Sequence, residues 1–308
     1  MLTDRLRRWV LFDGSRLTVT AVGLIVAYLL LGPIGHILLS QVITPDHSIQ
    51  GSIPLVTTFL SGDLLLVSIV VSVNSLYTSQ EQTPLDQQAE RIEAVGEFRN
   101  EFEELVDEPI SPSEPVRFLQ LLTGAILSEA QTLRNGGADN VDVDADVKEF
   151  VAEISEQTER VNSQLEDATT SLDLVLATLS YEYSRLANGL RRFRSQYGDD
   201  LTDAERERIE RMLALLRHFA TAREYFKTLY LSREFARLSK QLLYLSLPVI
   251  LMASFVLLHS SIIPETHDIT TVLIIFALSP FFLLAAFTVR VATVTIRTRA
   301  AGQFVVEE

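Results

Sequence analysis

The apolar positions of this chain gather into four long runs, at approximately 17–39, 53–73, 242–263 and 270–289. Each matches the ~20 residues that a helix needs to cross ~30 Å of hydrocarbon. The pattern predicts an all-α integral membrane protein with four transmembrane helices in two hairpins and a helical cytoplasmic domain inserted between them. Five segments follow: a basic N-terminal segment 1–16, a first transmembrane hairpin 17–74, an acidic helical domain 75–241, a second hairpin 242–290 and a tail 291–308. The first run exceeds the ~15-residue apolar core of a cleavable signal, and no small-residue cleavage site ends it.

Between the hairpins the period turns helical and polar. Thr83-Pro84 reads as an N-cap followed by proline at the first helical position, opening a helix to about Val106. Pro109, Pro112 and Pro115 interrupt it, Ser113 is positioned to cap a second helix, and Asn135-Gly136-Gly137 ends that one. A third helical region covers about 144–196 with one break, and Gly198 closes it. Thr202-Asp203-Ala204-Glu205 is a capping box. From there Ile209, Met212, Leu216, Phe219, Phe226 and Tyr230 keep helical spacing toward the third span, so one helix of ~55 residues, ~80 Å long, is expected to run into the membrane. Such a rod could relay a cytoplasmic event. A plain antiparallel bundle that holds subunits together is the simpler expectation.

Charge orients the spans. Arg5, Arg7, Arg8 and Arg16 precede the first, Arg233, Arg237 and Lys240 precede the third, and Arg290, Arg297 and Arg299 follow the fourth. The two short connections, at 41–52 and 264–269, carry no Lys or Arg. Basic residues mark the cytoplasmic side, so both termini and the middle domain are expected inside a cell membrane. The hairpins also look alike. ILLSQVITPDHSI at 37–49 aligns with VLLHSSIIPETHDI at 256–269, and Leu60-Ser61-Gly62 with Leu278-Ser279-Pro280, as a parallel repeat would have it. Chance likeness between apolar hairpins is the competing account.

A positive mean hydropathy of +0.22 beside 40 acidic and 26 basic residues, net −14, fits apolar spans joined to an acidic water-exposed block. Only Lys148, Lys227 and Lys240 are lysine; the other basic residues are arginine. Acid excess with scarce lysine resembles the proteins of salt-loving archaea, whose molar salt shortens the Debye length to ~3 Å. An ordinary acidic protein of a GC-rich bacterium is the alternative. The absence of cysteine excludes disulfides, thiolate metal sites and cysteine nucleophiles. The acidic surface argues against nucleic acid.

Asp63 is the residue most suggestive of chemistry. Counted from Tyr77 at the cytoplasmic interface, it lies ~14 residues, or ~21 Å, into the second span. A carboxylate there costs about 2.5–3.5 kcal/mol on insertion scales and must face protein or water. On a helical wheel Thr57, Ser61, Ser68, Ser72 and Ser75 form a hydroxyl stripe, with Asp63 and Asn74 together ~150° away. Two polar faces suit a helix lining an ion path, with Asp63, Asn74, Ser61, Ser68 and Ser72 along it; a protonated structural carboxylate is the plainer account. His36 and His259 are its only titratable neighbours in depth, and Arg290 is too far away. At the outer face, His36, His47, His259 and His267 with Asp46, Glu265 and Asp268 outline a possible metal or pH-sensing site, or merely amphipathic anchors.

Other signatures fail. Leu60-Ser61-Gly62-Asp63 departs from the Gly-x-Gly-Asp of intramembrane aspartyl proteases at its first glycine, and no second span carries an acid to share the proton. Asp142, Asp144, Asp146 and Glu153 have calcium-loop spacing, but Val147 stands where the turn glycine belongs, so a solvated loop before a helix is expected instead. With no catalytic constellation and no cofactor motif, an enzyme is the least favoured class. The two-plus-two layout is similar, in topology alone, to bestrophin-type anion channels and to the four-span flagellar stator subunit; their signature residues are missing, and no roles carry over. The sequence thus favours a homo-oligomeric channel or ion-translocating protein in the lipid bilayer. Its rival is a non-conducting scaffold or signalling adaptor whose domain 75–241 binds a cytoplasmic protein.

Overall fold

A computed structural model describes residues 9–10, 14–34, 49–81, 84–136, 141–198, 201–261 and 267–297. Among them the fold is all-helical, with no strand. In chain order the α-helices are α1 (Arg16–Leu29), α2 (Ile49–Glu81), α3 (Leu85–Val106), α4 (Pro115–Gly136), α5 (Val141–Glu166), α6 (Ser171–Leu179), α7 (Tyr183–Tyr197), α8 (Asp203–His259) and α9 (His267–Arg297). They divide into two compact units: Met1–Thr83 with Ser232–Thr295, and Pro84–Leu231 with Ile296–Glu308.

The first unit holds the apolar helices. Arg16–Ile34, Gly51–Leu76, Ile269–Ile296 and part of Asp203–His259 are long and apolar enough to cross a membrane, which suggests a multi-pass membrane protein. Ser15 caps α1 by accepting from the Thr18 N–H at 3.1 Å. The first run does not stay regular, however. α1 stops at Leu29, and a π turn over Leu30–Ile34 follows, with Gly32 outside helical angles and Pro33 within it.

α9 is the surface on which the other three helices pack. α1 runs antiparallel along it: Arg290 donates to the Gly14 carbonyl at 2.8 Å, Arg16 donates to the Ala286 carbonyl at 3.3 Å, Gly23 lies against Phe282, and Gly32 against Thr271. α2 runs parallel to it, with Gly62 against Phe281 and Val70 in a cluster with Leu283 and Phe287. Leu242 of α8 completes that cluster. A Cβ added at Gly23 would sit 2.7 Å from the Phe282 ring, and one at Gly62 2.8 Å from the tip of Phe281. Both glycines are therefore places of close approach rather than of conformational freedom.

The second unit is a water-type bundle. α3 to α7 and the first part of α8 enclose Phe102, Leu119, Leu122, Ile126, Ile154, Leu186, Met212 and Phe219, all essentially inaccessible. The Thr202–Glu205 box is present: the Thr202 N–H donates to Glu205 at 2.8 Å, and the Glu205 N–H donates to the Thr202 hydroxyl at 3.3 Å. It opens α8, a single helix of 57 residues whose first part belongs to this unit and whose remainder belongs to the other. The expected third helical region is corrected in two respects. It begins at Val141 rather than 144, and it has two breaks, at 167–170 and 180–182. The first break holds a capping box on Thr170, closed by Asp173, in which aspartate takes the place usual for glutamate. The α3–α4 turn is held by Glu103, which accepts from both the Ser111 hydroxyl and the Ser111 N–H at 2.7 Å. Those two bonds, hydroxyl first, hold its carboxyl below the usual glutamate range.

Two outcomes follow from these terminations. Thr202→Ala leaves α8 uncapped and lowers the unfolding free energy of the second unit by about 1 kcal/mol in a denaturant titration, with the helical spectrum of the folded state kept. Glu103, whose pKa is lowered on folding, contributes stability above the unfolded value of ~4.3 and loses it as pH falls through the folded value. The gap in melting temperature between wild type and Glu103→Gln is accordingly constant above about pH 5 and closes on acidification. A gap independent of pH would mean that the carboxylate is not the stabilising form.

Candidate functional site

Asp63 lies on the packed face of α2. Val56, Asp63, Leu66 and Val70 are the buried residues of this helix, at spacings of seven, three and four. Val70 of that stripe packs with Leu283 and Phe287 of α9, and Asp63 takes the position next to Gly62, against which the Phe281 ring of α9 lies. Its side chain is wholly inaccessible, and neither carboxylate oxygen has a hydrogen-bond partner. The surroundings on its own stripe are hydrocarbon. An unpaired acceptor in such a place is costly, by at least ~1–3 kcal/mol for a neutral group and more for a charged one.

The other expected path residues separate from it. Ser61, Ser68 and Ser72 are exposed, as are Thr57 and Ser75, and Asn74 is half-buried. The Ser61 hydroxyl donates to the Thr57 carbonyl and the Ser72 hydroxyl to the Ser68 carbonyl, each at 2.9 Å within the same helix. The hydroxyl stripe and the carboxylate thus occupy different sides of α2, one outward and one inward.

Arg290, expected to be too far from Asp63, donates to the Gly14 carbonyl. The His259 ring stacks on Phe255 at 4.5 Å, with Nδ1 3.2 Å from the Phe255 carbonyl one turn back. His36, and of the outer-face set Asp46, His47 and Glu265, lie outside the described residues, while His267 and Asp268 open α9. No cluster of three His, Cys, Asp or Glu residues suited to a metal occurs among the described residues.

Sequence reasoning missed other buried oxygens of the first unit: the hydroxyls of Thr20 on α1 and Ser246 on α8 are buried without a hydrogen-bond partner, and so are Glu234 Oε2 and Gln241 Oε1 on α8. Nothing in an apolar run marks one Ser or Thr over another; the only available signal was helical phase, which places Thr20 one turn from Arg16 and Ser246 one turn from Leu242.

The second unit offers a different kind of feature. Asp142, Asp144 and Asp146 all fall inside α5, so they form neither a calcium loop nor the expected solvated loop. Asp146 instead accepts from the Tyr197 hydroxyl at 2.8 Å, at the edge of a cleft of about 300 Å³ between α5 and α7 that Phe150, Glu153, Gly189 and Phe193 also line. On α8, Arg223 is buried under the Tyr183 ring at 5.4 Å with its Nε unpartnered, and burial draws its pKa down. The first part of α3 presents Leu85, Ile92 and Val95 to solvent, with Ile92 75% exposed.

No curated protein and no solved structure matches the chain. Its helices, caps and buried polar groups have to be read from the molecule itself. Over its full length, residues 1–308, the chain belongs to a family of unknown function, DUF7972.

Proposed function

We propose that this protein is a multi-pass protein of the cell membrane that assembles as an oligomer and translocates an ion, with α2 facing the path and Asp63 on it. The observation that carries the reading is a carboxylate with no accessible surface and no hydrogen-bond partner, inside an apolar four-helix unit. Ionisable groups within a membrane are retained at a cost, and proton or ion pathways are where that cost has a use. The outward surface fits hydrocarbon, since Leu65, Leu251 and Leu258 are largely exposed. The arginine distribution supports cytoplasmic termini.

The hydroxyl stripe supports the oligomer. Thr57, Ser61, Ser68 and Ser72 are small, outward-facing and spaced by four and seven. The protons of Thr57, Ser61 and Ser72 are used within α2, so a second helix can approach these three closely without leaving their donors unpaired. In this reading Asp63 and Asn74 belong to the ion route, and Ser61, Ser68 and Ser72 line the contact between copies or a path along it. The acidic, lysine-poor composition fits a protein that works at molar salt, as in salt-loving archaea.

A second reading has its own observation. The exposed apolar stripe Leu85, Ile92 and Val95 on α3 suits a helix that docks on another protein, as in a non-conducting scaffold or adaptor.

Two experiments separate them. Proteoliposomes carrying the full-length protein at high salt are expected to pass ions at a rate or selectivity altered at least tenfold by Asp63→Asn; absence of flux from correctly inserted wild type, across several salts and pH values, would defeat the transport reading. The adaptor reading expects a stoichiometric cytosolic protein to co-purify with the full-length chain and to be lost with Ile92→Asp. Co-purification indifferent to that substitution would remove its support.

A further inference from the structure

We infer that the apolar unit holds a binding site for a dehydrated monovalent alkali cation, formed by Thr20, Asp63 and Ser246 from three different helices. The inference rests on the reading of Asp63 as an ion-path residue and names the class of ion.

These three side chains share one condition. Thr20 is 5% exposed and Asp63 and Ser246 are 0% exposed, and the Thr20 hydroxyl, both Asp63 carboxylate oxygens and the Ser246 hydroxyl all lack a hydrogen-bond partner. They also share a height, which α9 measures. Arg16 reaches Ala286, and Gly23 lies against Phe282; Thr20 falls between those two on the same face of α1 and so stands beside the turn that includes Leu283. Gly62 lies against Phe281, which puts Asp63 at that turn. Leu242 packs with Leu283 and Phe287, and Ser246 is one turn further along the same buried face of α8. All three therefore stand within about one helical turn, ~5 Å, of the height of Leu283. Phe281 and Phe282 are ~100° apart about α9, so α2 and α1 flank it on adjacent sides.

The chemistry of the set selects the occupant. The donors are oxygens only, which favours hard cations. The buried guanidinium of Arg16, one turn from Thr20, is taken up by the Ala286 carbonyl and the Phe287 ring, and the three donors by themselves carry one negative charge, which a single positive charge balances. The oxygens make no hydrogen bonds to one another. A cation among them takes lone pairs from all three residues at once. Ser279 of α9 adds a fourth oxygen one turn away. Pro280 removes an N–H from that helix, and the Ser279 hydroxyl, 3% exposed, donates to the Phe276 carbonyl at 2.7 Å, which keeps its own lone pairs free.

The test is thermal unfolding of the full-length protein in detergent, titrated with sodium, potassium or lithium chloride against choline chloride at constant ionic strength and pH. At least one alkali salt is expected to raise the melting temperature saturably, and choline is not. Thr20→Val and Ser246→Ala should each raise the half-saturating concentration tenfold or more, Asp63→Asn should abolish the response, and Thr288→Val, an exposed hydroxyl on α9, should leave it unchanged. If Asp63→Asn does not fold, the two hydroxyl variants carry the test. Equal responses to choline and all alkali salts, a response retained without the carboxylate, or stabilisation that follows pH alone would each overturn the site. Cation-specific stabilisation without flux would end the transport reading and leave the site; Asp63-dependent flux without cation-specific stabilisation would do the reverse.

Discussion

The register of the apolar unit depends on two glycines meeting two adjacent phenylalanines. Where apolar helices stand in hydrocarbon, as proposed for these, burying apolar surface gains nothing and association rests on close van der Waals packing and on polar contacts. Gly23 against Phe282 and Gly62 against Phe281 supply the first at consecutive positions of α9. Arg16 and Arg290, which reach carbonyls across the same α1–α9 seam, supply the second. A slip of one residue in either helix would drive a ring into backbone or into a Cβ. That constraint fixes the heights of α1 and α2 together, and the alignment of Thr20 with Asp63 is its consequence. The repeat-like match of Gly62 with Pro280 acquires a spatial meaning as well, because the matched turns of α2 and α9 run parallel and touch.

Much of this was legible in the sequence, and the reasons differ by element. The four apolar runs are set by length and hydropathy, which tertiary context cannot hide. The Thr202–Glu205 box and the end of α3 near Val106 were readable because caps are local chemistry. The missed break at Thr170 is local too, but it uses aspartate at the third position and sits in an otherwise continuous helical period. The π turn at Leu30–Ile34 was signalled by Gly32-Pro33 and overlooked because hydropathy continues across it. Asp63 stood out as the lone acid in a span. Its separation from the hydroxyl stripe was given by helical phase, but phase alone does not say which of two polar faces turns inward. Thr20 and Ser246 become distinct only once the partner helix is known.

The second unit obeys different rules. Its core is built from aromatic and branched side chains on six helices, and apart from buried groups such as Arg223 many of its charges lie on the outside, some in i,i+4 pairs such as Arg160–Glu156 and Arg211–Glu207. Such exposed pairs contribute little each and are screened by salt. Stability there therefore rests mainly on the core and the caps.

What separates a structural hydroxyl from a functional one in this molecule is where its proton goes. Thr57, Thr58, Ser61 and Ser72 each return theirs to a carbonyl of their own helix, and they need nothing further from their surroundings. Thr20 and Ser246 have the same option, since any helical Ser or Thr can bond back to the preceding turn, and neither takes it. At the height of these two hydroxyls the carboxylate of Asp63 also stands unpaired. In the proposed cation site, the three oxygens from three helices, brought to one level by contacts that do not involve them, act as one donor set.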